Sequence, residues 1–137
     1  MSKDINILVV DDYSTMRRII KNILHELGYR NVLEAADGNA ALQVLGSANI
    51  DLLVTDWNMP GMPGLDLLKR VRESSTYGSM PVLMLTAEAK REQIVEAARA
   101  GANGYIIKPF TPATLKSKIE KLFPDAPAVS AAPVPGS

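Results

Sequence analysis

The sequence predicts an α/β fold: a single doubly wound sheet of five parallel strands with helices on both faces. Three observations predict it. Short runs of Val, Ile and Leu alternate with longer segments of helical period, the pattern of parallel strands joined by helical crossovers. Several runs are apolar in succession, as strands covered on both faces are. The chain has 137 residues, 47% of them hydrophobic, which suits one compact domain with one sizeable core.

The strand candidates are Ile5 to Val10, Val32 to Ala35, Leu52 to Thr55, Val82 to Thr86 and Gly104 to Ile107. The second is the weakest, because it carries the least apolar succession. Between the first two, Met16, Ile19, Ile20, Ile23, Leu24 and Leu27 recur at helical steps and Gly28 follows as a stop, which predicts a helix with one buried stripe. Asp37-Gly38 opens a short second helix carrying Ala41, Leu42 and Leu45. Gly64 to Arg72 reads as a third with Leu65, Leu68 and Val71 inward, and Lys90 to Ala100 as a fourth ended by Gly101. Thr111-Pro112 is a start signal, a capping hydroxyl before a proline at the first helical position. Leu115, Ile119 and Leu122 supply the stripe of that fifth helix.

The domain is expected to span residues 1–123. Residues 124–137, rich in Pro and Ala and low in complexity, offer no core face and are expected to be disordered. They fit a natural tail, the stub of a linker to a further domain, or an expression remnant equally well.

Composition excludes several function classes. Fifteen Lys plus Arg balance fifteen Asp plus Glu, so no global field favours nucleic acid or an anionic membrane. Cysteine is absent, which removes disulfides and thiolate metal sites and suits a reducing cytoplasm. The opening Met-Ser-Lys-Asp lacks the apolar core of a secretory signal, and no apolar run approaches the roughly 20 residues needed to span a bilayer. The expectation is a cytoplasmic monomer.

Polar residues fall where strands end: Asp11 and Asp12 after the first, Asp56 after the third, Thr86 after the fourth and Lys108 after the fifth. In an open parallel sheet the carboxyl ends of the strands form the ligand-binding edge, so these side chains can converge. Singly, each has a plainer explanation. Asp11 and Asp12 suit a cap for the helix starting near Ser14, Asp56 before Trp57-Asn58-Met59-Pro60-Gly61 suits a turn, and a lone Thr or Lys is ordinary structure. Their common placement at strand ends of one edge is what the plainer reading leaves unexplained. Three carboxylates brought together repel one another and raise each other's pKa unless a cation intervenes. Oxygen donors without His or Cys favour magnesium, with manganese as a substitute, over zinc. Asp56 is then a carboxylate nucleophile for phosphorus, and Lys108 and Thr86 are partners for the outer phosphoryl oxygens.

These motifs resemble the receiver domains of two-component response regulators: Asp11-Asp12, Thr-Asp-Trp-Asn-Met-Pro around Asp56, Leu-Thr-Ala-Glu-Ala-Lys with Thr86, Gly-Tyr with Tyr105, and Ile-Lys-Pro-Phe with Lys108. The likeness runs from about Asp4 to Phe123 and is strongest to chemotaxis members that consist of a receiver alone. The resemblance implies a flavodoxin-like sheet in the order 2-1-3-4-5. It implies that Asp56 accepts the phosphoryl group, that Asp12, Asp56 and the main-chain carbonyl of Asn58 contact magnesium, and that Asp11 holds the ion through water. Lys108 would pair with the phosphoryl group beside a cis bond to Pro109. Thr86 would move toward the phosphoryl oxygen and Tyr105 would swing inward, forming the switch.

The resemblance also implies an output face on the fourth helix, fifth strand and fifth helix, here Ala89, Arg91, Ile94, Tyr105, Ile107, Lys118 and Lys121. Its mixed apolar and basic character suits a short amphipathic or acidic peptide. Asn58 and Glu88 match positions that tune hydrolysis of the acyl phosphate. The implied partners are a sensor histidine kinase, a flagellar motor switch protein and a phosphatase, and the implied activity is a phosphorylation-switched signal rather than turnover of a separate substrate. Pro112, Tyr13 and the Pro-Ala tail depart from the chemotaxis pattern.

His25, the only histidine, lies off its helix stripe and reads as a surface residue. Trp57, the only tryptophan, follows Asp56 and is expected to report metal binding by fluorescence. Three other readings compete. The receiver of a truncated transcription factor, or a phosphate sink, shares the fold, although no recognition helix follows Phe123. A phosphatase of the haloacid-dehalogenase type needs a second acid where Asn58 stands. A nucleotide-binding protein needs a glycine-rich phosphate loop that no strand here precedes.

Overall fold

The structure is a computed structural model that describes residues 4–87 and 90–123. Glu88, Ala89 and the 124–137 segment lie outside the described residues. The elements alternate strictly: β1 (Asn6–Val10), α1 (Ser14–Glu26), β2 (Asn31–Ala35), α2 (Gly38–Ser47), β3 (Leu52–Asp56), α3 (Gly64–Arg72), β4 (Val82–Thr86), α4 (Arg91–Ala100), β5 (Gly104–Ile107) and α5 (Pro112–Leu122). All strand pairs are parallel, and the sheet order is β2-β1-β3-β4-β5. That is the flavodoxin-like order expected from the family resemblance.

The period of two along each strand divides the core. Ile7, Val9, Leu52, Val54, Leu83, Leu85 and Ile106 face Ile20 and Leu24 of α1 and Leu115 and Ile119 of α5. The intervening Leu8, Val10, Leu53, Val82 and Met84 face Ala41, Leu45, Leu67, Leu68, Val71 and Ala97 of α2, α3 and α4. Alternate residues thus feed two cores, which is why β1, β3 and β4 read as unbroken apolar runs. β2 is half exposed at one edge of the sheet, and its composition follows from that position.

The helix boundaries follow their signals. Asp37 caps α2 by accepting from the Ala40 N–H at 2.8 Å, and Thr111 caps α5 by accepting from Thr114 N–H at 3.2 Å, with Pro112 opening the helix. Gly101 ends α4 at φ 103, the left-handed conformation that favours glycine. Two expected stripes need correction. In α1 only Ile20 and Leu24 are fully buried, while Ile19 is 45% exposed, because it stands about 100° around the helix from Ile20. In α3 Leu67 joins Leu68 and Val71 among the buried residues, while Leu65 is partly covered and packs against the same core.

Candidate functional site

Asp11 follows β1, Asp56 ends β3, Thr86 ends β4 and Lys108 follows β5, so the carboxyl edge of the sheet gathers them as the strand pattern predicts. One oxygen each of Asp11, Asp12 and Asp56 lie within 4.8 Å of one another. Asp11 is fully buried, Asp56 and Thr86 nearly so, and Asp12 is half-buried. Lys108 Nζ reaches Asp56 Oδ1 at 2.8 Å and Asp11 Oδ2 at 3.4 Å. One ammonium therefore serves two of three clustered acids.

The main chain fixes these positions. Asp56 pairs in register with Leu85, and the next N–H, that of Trp57, donates to Leu85 O at 2.8 Å. Lys108 N–H donates to Thr86 O at 2.8 Å, and the Lys108–Pro109 bond is cis. Behind Asp56, Gly64 N–H donates to Trp57 O at 2.8 Å. A Cβ at Gly64 would collide with the Asp56 carbonyl oxygen and approach Trp57 Cα at 3.0 Å, so only glycine lets α3 start so close to the acid.

Negative charge is in excess here, and ionisation reflects it. Burial pushes the Asp56 carboxyl above its ordinary value; Lys108 offsets part of the rise and Asp11 adds to it. Burial pulls Lys108 down, but the hydrogen bond and charge of Asp56, reinforced by Asp11, outweigh it and hold the ammonium above the ordinary lysine value. Lys108 thus stays charged beside the acids.

The donors fit a hard divalent cation. Asp12 Oδ1 is buried and has no hydrogen-bond partner, a costly condition for a carboxylate that a bound cation relieves. Asp11 is the opposite case. Its Oδ1 accepts from Tyr13 N–H at 2.9 Å and its Oδ2 meets Lys108, so both oxygens are already engaged. The helix-cap reading of the acid pair is met only in this local turn, since the first residue before α1 is Tyr13 and α1 has no side-chain cap.

The described residues expected to form a switch and an output face fall on β4, α4, β5 and α5. Tyr105 is half-buried on β5, with the Lys118 ammonium 5.3 Å from its ring centroid, a cation–π distance. Asn58, Arg91, Ile107 and Lys121 are exposed, and Ile94 and Lys118 are half-buried. His25 is exposed and Trp57 is buried against the β1, β3 and β4 core. Sequence reasoning missed Arg17, whose Nη1 donates to the Asp11 carbonyl at 2.7 Å while its Nε donates to Glu34 Oε1 at 3.0 Å. Nothing local in the sequence marks this residue, because its partners belong to the β1 loop and to β2.

This chain matches known proteins along most of its length. The response regulator receiver domain family matches residues 7–120. Chemotaxis protein CheY-3 of Vibrio cholerae is 60% identical over 123 residues, which cover 90% of this chain and 95% of that protein. Chemotaxis protein CheY of Pseudomonas aeruginosa is 64% identical over 117 residues, covering 85% and 94%. Among solved structures, CheY4 of Vibrio cholerae overlays with a TM-score of 0.82 at 38% identity, covering 86% of this chain and 98% of that one. With the acids, the lysine and the sheet order all inside the matched span, the chain belongs to the response regulator receiver domain family and is of the CheY type.

Proposed function

We propose that this protein is a single-domain response regulator of chemotaxis that takes a phosphoryl group onto Asp56 and then alters its affinity for a flagellar motor switch protein. The observation that carries the reading is the convergence of three carboxylates with a lysine bound to Asp56 at 2.8 Å. Identity of 60% or more to chemotaxis receivers over nearly their whole length supports the output.

Asp12, Asp56 and the main-chain carbonyl of Asn58 would hold magnesium or manganese, with Asp11 behind them through water. When bound, the ion neutralises charge on the outer phosphoryl oxygens. An Asp56 oxygen attacks phosphorus in line, forming the acyl phosphate as the bond from phosphorus to the imidazole nitrogen of a donor phosphohistidine breaks. The departing nitrogen keeps the electron pair, and the imidazole leaves neutral because its other nitrogen enters the reaction protonated. Lys108, now held by Asp56 and Asp11, moves its ammonium to a phosphoryl oxygen, and Thr86 donates its hydroxyl to another. Tyr105 follows inward and remodels the face that includes Ala89, Arg91, Ile94, Ile107, Lys118 and Lys121. Asn58 and Glu88 set the lifetime of the acyl phosphate. The protein is a phosphorylation-switched regulator acting in the cytoplasm, with a sensor histidine kinase upstream and a phosphatase to end the signal. Among the described residues no helix is long and apolar enough to cross a membrane.

The output is tested by titrating the protein, with and without beryllofluoride and magnesium, into a motor-switch peptide. Tighter binding with beryllofluoride is expected. Equal affinity in both states would replace the motor output with a phosphate sink or another partner.

A further inference from the structure

Asp11 is tied at every polar group. Its N–H donates to Ala35 O at 3.2 Å, its Oδ1 accepts from Tyr13 N–H at 2.9 Å, and its Oδ2 meets Lys108 at 3.4 Å. The fourth group, its carbonyl, accepts from Arg17 Nη1 at 2.7 Å. That carbonyl shares a rigid peptide plane with the N–H of Asp12, so a hold on it also sets where the Asp12 side chain starts. Asp12 carries a buried oxygen without a hydrogen-bond partner, and one oxygen of its carboxylate lies within 4.8 Å of oxygens on Asp11 and Asp56.

Arg17 is itself held. Its Nε donates to Glu34 Oε1 at 3.0 Å, and the other oxygen of Glu34 lies 3.5 Å from Lys21 Nζ. The Arg17 side chain is only 17% exposed. A planar guanidinium can hold a carbonyl and a carboxylate at once in a fixed geometry, and a lysine replaces it poorly. We infer that Arg17, oriented by Glu34, is a positioning residue that fixes the Asp11–Asp12 peptide and so presets the acid cluster for its divalent cation. This rests on the reading of the cluster as the cation-assisted phosphorylation site.

The sign of the effect separates this role from a simple charge effect. Arg17 is a cation near a cation site, so by Coulomb repulsion alone its removal would tighten metal binding. Loss of positioning weakens it, and losing a group that orients metal ligands from behind costs on the order of tenfold or more in affinity.

The experiment is a Mn2+ titration followed by electron paramagnetic resonance, which counts free ion, on wild type, Arg17→Met, Arg17→Lys and Glu34→Gln, with thermal unfolding in chelator alongside. We expect about tenfold weaker Mn2+ binding in Arg17→Met, a smaller loss in Glu34→Gln, and incomplete rescue in Arg17→Lys although the charge is kept. Unchanged or tighter binding in Arg17→Met overturns the inference, even if its melting temperature falls. Should Arg17→Met lose its unfolding transition, Arg17→Lys decides by the same criterion, with wild-type affinity overturning the inference. A wild type that binds no Mn2+ would instead overturn the cation site itself, and the inference with it.

Discussion

Replacing Lys108 with methionine removes the one ammonium that bridges Asp56 at 2.8 Å and Asp11 at 3.4 Å, and leaves three neighbouring carboxylates without it. Removing one member of a buried ion pair costs roughly 3–5 kcal/mol. Because the Lys108 side chain is 18% exposed, water screens part of this, and we take the low end, about 3 kcal/mol. For a chain of this size that lowers the melting temperature by roughly 10 °C. The pH dependence fixes the cause. Asp56 has a folded pKa raised above 3.8, so its contribution to stability is fully present below that value and is lost as pH rises through the folded pKa. Without Lys108 the folded pKa rises further, so the deficit of Lys108→Met should open above about pH 4 and be largest near neutrality. Urea unfolding of both proteins in chelator at about pH 4 and about pH 7 measures it. Magnesium should shrink the neutral deficit, since a bound cation replaces the missing charge. A deficit that is the same at both pH values and indifferent to magnesium would show that Lys108 acts by packing alone, and would refute the electrostatic account.

Two further outcomes concern Gly64 and Tyr29. Gly64→Ala should cost about 1–3 kcal/mol by overpacking and should also slow phosphorylation, because the new methyl meets the main chain of Asp56 itself; a stable variant with wild-type phosphorylation would show that this close approach is dispensable. Tyr29 is buried and its pKa is raised by burial and by Glu120, so its contribution holds below the ordinary value of 10.0 and fades as pH rises through the folded pKa. The stability advantage of wild type over Tyr29→Phe should therefore shrink above about pH 10, and an advantage that is constant with pH would contradict this.

What the sequence revealed and what it concealed divide along a physical line. Strand-end placement of Asp11, Asp56, Thr86 and Lys108 was legible because a parallel sheet sends all its carboxyl ends to one edge, so strand assignment alone brings them together. The caps at Asp37 and Thr111 were legible because each is local, completed within three residues. The full arc that α3 buries was not, since Leu67 and Leu65 flank opposite sides of Leu68 and only tertiary packing decides which is covered more completely. Nor was Arg17, whose bonds to Asp11 and Glu34 join α1 to two strands. An arginine in the first turns of an amphipathic helix looks the same whether it is solvated or holds an active-site carbonyl. The engaged state of Asp11 and the unpartnered oxygen of Asp12 likewise exist only in three dimensions.

The proposed function depends on phosphorylation of Asp56 with the help of a divalent cation. Intact mass spectrometry after incubation with acetyl phosphate and magnesium tests it most directly, with Asp56→Asn and a chelator as controls. One added phosphoryl group is expected on the wild type, and none in Asp56→Asn or in chelator. A wild type that gains no mass, or an undiminished gain in Asp56→Asn, would contradict it.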